Sequence, residues 1–280
     1  MPELPEVESV RRVLAACMVG KKITEVRIED DPIVFQKVPS RMLTEALMDR
    51  VVTGAGRKGK IFWLEFADEP WFFNHLGMSG WVRRLGAPET RLLNHGTAPL
   101  DSPEGEPRFL KWLLTAEDGT RVALTDGRRL ARCGLGARSS DEPRVQQLGP
   151  DALEELPPLE EFSSILARST APIKAMLMNQ SRFSGIGNWV ADEVLYAAGI
   201  APARACSTLA KEEFGALRKA IVEVLQVAVD VQADSSKFPD TWLFHVRWGG
   251  SKGADQHQGQ TLRRDQVAGR TTAWVPERQR

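Results

Sequence analysis

"SGIGNWVADEVL", residues 184–195, decides how the second half of the chain is read. Gly185 and Gly187 allow tight turns at positive φ. Asn188 suits a helix N-cap, and Trp189, Val190, Val194 and Leu195 give the following helix an apolar face. The preceding "APIKAMLMNQ" (171–180) is helical in its spacing, so the whole reads as helix, glycine turn, helix. A dinucleotide fold is excluded, because the third glycine of GxGxxG falls on Val190 and no strand precedes it. Backbone amides and an outward-facing Asn188 side chain at a helix start suit a phosphate, although an ordinary helical corner fits these residues equally well.

"LEEFSSILA" (159–167), "NWVADEVLYAAG" (188–199) and "LAKEEFGALRKAIVEVLQVAVDVQ" (209–232) repeat apolar residues every three or four positions. Gly199 and Pro202 close one of these helices. Upstream the pattern is β-rich. "KKITEVRIED" (21–30) and "KIFWLEF" (60–66) alternate, while "WFFNHLGMSGWVRRL" (71–85) and "FLKWLLTAEDGTRVALTD" (109–126) read as strand pairs. The second pair turns at Asp118-Gly119. Helices are expected at about 7–18 and 40–49, and a Pro- and Gly-rich loop at 86–107. Downstream, "WLFHVRWGG" (242–250) and "GRTTAWVP" (269–276) predict strands of a terminal hairpin. The fold class is α+β: an N-terminal β-sandwich domain at 1–136, a linker at 137–150, a helical domain at 151–236 and a hairpin at 237–280.

Charge sums to zero, with 37 basic and 37 acidic residues, but it is polarised along the chain. Residues 241–280 carry seven Lys/Arg against three acids, and "GRKGK" (56–60) and "GRRLARCGLGAR" (127–138) add basic stretches. Such clustering, rather than net charge, marks a nucleic-acid surface. No apolar run reaches the roughly 18–20 residues that span a bilayer, and acids occupy the place of a signal peptide's basic start. Cys17, Cys133 and Cys206 form no CxxC pair, which argues against a thiolate metal site and fits a reducing compartment.

The opening "MPELPEVESVRR" (1–12) places a proline and Glu3, Glu6 and Glu8 at the terminus. These acids favour the positive end of a helix. They also suit chemistry: an α-amine titrates near 7.7–8, far below lysine at about 10.4, so part of it is free base at neutral pH. A secondary amine on Pro2 can attack an acetal carbon and form an iminium, with Glu3 as the acid. In "NHLGMSGW" (74–81) and "TDGRRLARCG" (125–134), His75, Met78, Arg128 and Leu130 fall in turns, where a structural histidine, a gap-filling methionine and a solvated loop are the default readings of the residues alone.

"PELPEVE" (2–8), "GRKGK" (56–60), "HLGMSG" (75–80), "DGRRL" (126–130), "SGIGNWVADEVL" (184–195) and "GRTTAW" (269–274) occur together in order. By these motifs the chain resembles the formamidopyrimidine-DNA glycosylase/endonuclease VIII family, and most of all its plant and fungal members. The resemblance implies a bifunctional DNA glycosylase/AP lyase of base-excision repair, with a β-sandwich, a helix–two-turn–helix domain and a zinc-free hairpin. It implies removal of Met1, Pro2 as nucleophile, Glu3 as acid, Glu6 in support and Lys60 as the essential lysine. His75, Asn188 and Arg270 match phosphate-gripping positions, with Arg270 also implicated in strand cleavage. Met78, Arg128 and Leu130 match the side chains that fill the gap left by an everted base. No cofactor is implied, the expected partner is duplex DNA with oxidised bases or abasic sites, and the expected state is a monomer inside the cell. Two departures stand out. Val275 and Arg278 occupy the second cysteine pair of zinc-bearing relatives, so Trp248 and Trp274 are expected to pack the hairpin; and Leu130 replaces a common phenylalanine.

Overall fold

The computed structural model describes residues 2–87, 101, 106–249 and 255–280. The loop expected at 86–107 therefore falls mostly outside the described residues. The chain divides into two compact units, residues 1–147 with 232–236, and residues 148–231 with 237–280.

The first unit begins with helix α1 (Leu4–Met18), followed by strand β1 (Ile23–Ile28) and helix α2 (Ser40–Leu47). Strands β2 (Gly54–Lys58), β3 (Ile61–Glu65), β4 (Trp71–His75), β5 (Trp81–Arg84), β6 (Leu110–Ala116), β7 (Arg121–Thr125) and β8 (Arg132–Gly136) then form two antiparallel sheets. One has the order β1-β6-β7-β5 and the other β2-β3-β4-β8. The β6–β7 hairpin turns at Asp118-Gly119 as expected. The expected pairing within "WFFNHLGMSGWVRRL" fails, since β4 pairs with β3 and β8 whereas β5 pairs with β7 in the other sheet. Val10, Leu14, Phe62, Phe72, Trp112 and Leu124 fill a common core. Burying each such side chain contributes about 1.5–3 kcal/mol against chain entropy.

The second unit holds α3's successors: after the short α3 (Pro143–Gln146) of the first unit come α4 (Leu159–Ala167), α5 (Ile173–Leu177), α6 (Asn188–Ala198) and α7 (Lys211–Asp230). Phe162, Leu177, Phe183, Trp189, Leu217 and Ile221 are buried among them. Gly199 ends α6 in the left-handed conformation, φ 72°, where a side chain is strained. Two-residue strands β9 (Gln256–His257) and β10 (Gln260–Thr261) precede the hairpin of β11 (Arg263–Val267) and β12 (Arg270–Trp274). "WLFHVRWGG" is not its partner strand: Leu243–His245 form a 3-10 turn. The backbone N–H groups of Leu243 and Phe244 donate to the buried Glu193 carboxyl at 3.1 and 3.0 Å, which removes them from any ladder.

Among the described residues no helix is long and apolar enough to cross a membrane. Cys17, Cys133 and Cys206 are all buried and free, and burial pushes each thiol up, that of Cys206 to about 11.

Candidate active site

In the first unit, α1 starts three residues earlier than its apolar spacing predicts. Glu3 is the N-cap, and its backbone N–H donates to Glu6 Oε2 at 2.9 Å in a reciprocal capping box. Pro2 is buried, and Glu3 and Glu6 are each only 2% exposed. Burial first, and the neighbouring Glu3 carboxylate second, push Glu6 up to about 8. Glu6 thus stays neutral at physiological pH and spares this segment a second buried charge.

Glu8 does more than complement a helix dipole. It is nearly buried, pairs with Arg11 and Arg12 on its own helix, and accepts from Arg57 Nε of β2 at 3.1 Å. Burial raises its carboxyl but the arginines win, holding it down at about 2. Arg57 Nη1 also donates to the Gly59 carbonyl at 3.1 Å. The pair therefore ties α1 to the turn that presents Lys60, a coupling across 49 residues that local pattern does not reveal. Lys60 precedes Ile61, which faces His75 across the sheet, and His75 in turn faces Arg132. Burial, then Lys60 and Arg132, push His75 down to about 4. Its Nδ1 accepts from the Gly77 N–H at 3.0 Å, so the neutral ring carries its proton on Nε2, a donor suited to a phosphate oxygen.

Met78 (41% exposed), Arg128 and Leu130 sit on two turns that pack together. Gly77 has φ +63°, and a Cβ there would lie 2.3 Å from the Leu130 carbonyl oxygen, so only glycine permits the approach. The buried Asp126 organises both turns. It accepts from Ser79 Oγ at 2.6 Å, from the Arg128 N–H at 3.1 Å and from the Leu130 and Ala131 N–H groups at 2.7 Å. Asp31, held far below the usual carboxylate range chiefly by hydrogen bonds from Arg129 and Lys111 that outweigh its burial, pins the same loop through Arg129 Nε at 2.9 Å. Asp31 belongs to no motif, and Asp126, although it opens "DGRRL", shows its role only through these long-range contacts.

In the second unit Gly187, not Asn188, is the N-cap of α6. The Asn188 side chain turns from the expected outward pose to donate its Nδ2 to the Thr271 carbonyl at 3.0 Å. That contact joins the start of α6 to the residue after the exposed Arg270. Beneath it lies a buried ionic cluster: Lys174 Nζ meets Asp192 Oδ1 and Arg247 Nη2 meets Asp192 Oδ2, each at 2.6 Å. Lys174 also donates to Thr272 Oγ1 at 2.7 Å, and the Ala273 N–H donates to Asp192 at 3.2 Å. Tyr196, Leu243, Leu262, Ala273 and Val275 form the apolar base of the hairpin.

Trp248 and Trp274 are not that base. Trp248 is 45% exposed, and Trp274 donates to Asp265 on the adjoining strand. The residues here do not fit zinc, since no cysteine follows Cys206. Val275 is fully buried, and the Arg278 guanidinium lies 4.4 Å over the Tyr196 ring, so packing occupies both positions. A strong chelator is expected to leave melting temperature and activity unchanged; stoichiometric metal lost together with stability would contradict this.

A two-sheet sandwich beginning with a buried proline–glutamate terminus, followed by a helix–two-turn–helix unit, defines a DNA glycosylase of base-excision repair. Residues 1–133 match the formamidopyrimidine-DNA glycosylase N-terminal domain, and residues 148–240 match the H2TH domain of the same enzymes. The chain belongs to the formamidopyrimidine-DNA glycosylase family. It is 39% identical over its whole length to the formamidopyrimidine-DNA glycosylase of Arabidopsis thaliana, covering 71% of that protein. The Heliobacterium modesticaldum enzyme is 31% identical with both chains fully covered. Among solved structures, Lactococcus lactis formamidopyrimidine-DNA glycosylase bound to DNA containing an abasic site superposes with a TM-score of 0.79 at 26% identity, over 99% of each chain. The same enzyme with DNA containing a formamidopyrimidine lesion gives 0.79 at 26% identity, over 99% of this chain and 100% of that one.

Proposed function

We propose that this chain excises oxidised bases, among them formamidopyrimidines and 8-oxoguanine, from duplex DNA inside the cell, as a monomer, and then cleaves the strand. The single observation that carries this is the terminus, where a buried Pro2 adjoins a buried Glu3 whose backbone is fixed by a neutral Glu6. With Met1 removed, the Pro2 nitrogen attacks C1′ of the damaged nucleotide as the C1′–base bond breaks. The proton that the Pro2 nitrogen sheds on attack passes through Glu3 to O4′, the departing base takes its proton from water, the ring opens, and an iminium joins Pro2 to C1′. Loss of a C2′ proton breaks the 3′ C–O bond, a further elimination breaks the 5′ C–O bond, and water returns the free amine. Lys60 and His75 of the first unit, and Asn188 and Arg270 of the second, contact phosphates, with Arg270 assisting the second elimination. Met78, Arg128 and Leu130 fill the vacated stack, which offsets part of the unstacking cost. In a eukaryote the enzyme works in the nucleus, in a bacterium in the nucleoid.

Cleavage of duplexes carrying formamidopyrimidine, 8-oxoguanine, hydantoin or thymine glycol tests this reading. Purine-derived lesions are expected to be cut first; a preference for thymine glycol favours endonuclease VIII-type specificity instead. The division of labour is tested by salt. Removing a phosphate contact lowers the log–log salt slope of binding by about 0.9. Arg270→Ala is expected to do this on every duplex, and Met78→Ala is expected to leave the slope alone while reducing lesion-specific turnover. The reverse pattern would exchange the two roles.

A further inference from the structure

Phe109 stands 51% exposed immediately before β6 with a backbone φ of +57°. A bulky aromatic in the left-handed region is strained, and such strain persists where the surroundings enforce it, often at a binding surface. The surroundings here are the filler loops. The Phe109 carbonyl accepts the backbone N–H of Asp126 at 2.9 Å, and the carboxylate of that same Asp126 holds the N–H groups of Arg128 and Leu130. Two residues beyond Phe109, Lys111 Nζ meets Asp31 Oδ2 at 2.8 Å, the carboxylate that pins Arg129. The ring itself lies over Gly127, where an added Cβ would come within 3.4 Å of its carbons. The Arg108 guanidinium sits 5.5 Å from the ring centroid. Two carboxylates therefore fix Phe109, Arg128 and Leu130 as one surface, and its aromatic member is kept out of the core at a conformational cost.

We infer that Phe109 is a stacking residue for DNA, its ring meeting the base opposite the everted nucleotide and supplying the aromatic face that Leu130 lacks. The inference rests on the reading of Met78, Arg128 and Leu130 as fillers of the vacated stack. An aromatic side chain under an unstacked base strengthens binding about 5- to 160-fold by alanine substitution, independent of base identity. A flat ring beside a flexible leucine thus restores, from the segment ahead of β6, what replacement of phenylalanine by Leu130 removes.

The test uses the full chain and a duplex with a tetrahydrofuran abasic analogue opposite 2-aminopurine, whose fluorescence reports stacking. Phe109→Gly, which suits the left-handed backbone, is expected to melt at or above the wild-type temperature. It should bind this duplex about tenfold more weakly, with an unchanged salt slope and a 2-aminopurine signal that responds less to binding. Phe109→Tyr should restore affinity and signal. If Phe109→Gly binds and quenches like wild type, or if stability and affinity fall together, the inference fails while the proposed function stands. If the wild-type protein neither binds the abasic duplex nor gives a borohydride-trapped adduct on abasic DNA, the proposed function fails and the inference with it.

Discussion

Protein that keeps any residue ahead of Pro2 is expected to lose abasic-site cleavage by about 10³-fold or more, because an amide nitrogen has no lone pair to offer as a nucleophile. Borohydride should trap mature protein covalently on abasic DNA, and proteolysis should place the adduct on the peptide that begins at Pro2. Glu3→Gln should slow base release by a factor of about 10² to 10⁴, the range for losing a general acid. It keeps the capping geometry, since Glu6 grips the backbone N–H of residue 3 and a glutamine Oε1 still accepts from the Glu6 backbone N–H. An adduct found on Lys60, or full activity in a tagged protein, would overturn the assignment of the nucleophile.

Asp192→Ala is expected to be the most destabilising single change in the second unit. Asp192, Lys174 and Arg247 are 0%, 0% and 6% exposed, so truncation strands two cations away from water. Leaving a buried charge without its partner costs about 3–5 kcal/mol, which for a chain of this size lowers the melting temperature by roughly 5–9 °C. Because β12 carries Thr271, Thr272 and Ala273 onto this cluster, the hairpin and Arg270 should move first. DNA affinity should then fall even below the unfolding transition. Calorimetry beside a binding titration checks this; a variant that melts like wild type shows the cluster to be incidental.

Much of this architecture can be read from local pattern. The β6–β7 hairpin announces itself through alternation and Asp118-Gly119, and α6 and α7 through their apolar spacing. What escaped is set by distant partners. Glu8 reads as a helix-dipole charge until Arg57, 49 residues on, takes it into an ion pair. "WLFHVRW" alternates like a strand, yet Glu193 claims its backbone donors from another element. The second sheet edge, β8, hides inside a basic stretch whose glycines suggest a loop. The candidate site residues sit in motifs, whereas Asp31 and Phe109, which brace the turns of Met78, Arg128 and Leu130, carry no such flag.

The buried cysteines have one more consequence. An enzyme for oxidative lesions works amid the oxidants that make them. A thiolate on the surface, or a metal held by thiolates, is the first group such oxidants attack. Here all three sulfurs lie inside the protein and resist ionisation, with burial the chief cause at each. With salt bridges and packed side chains in place of a zinc clasp, the soft groups left at the surface are thioethers such as Met78. No step of the chemistry proposed for Pro2 and Glu3 then depends on keeping a thiol reduced.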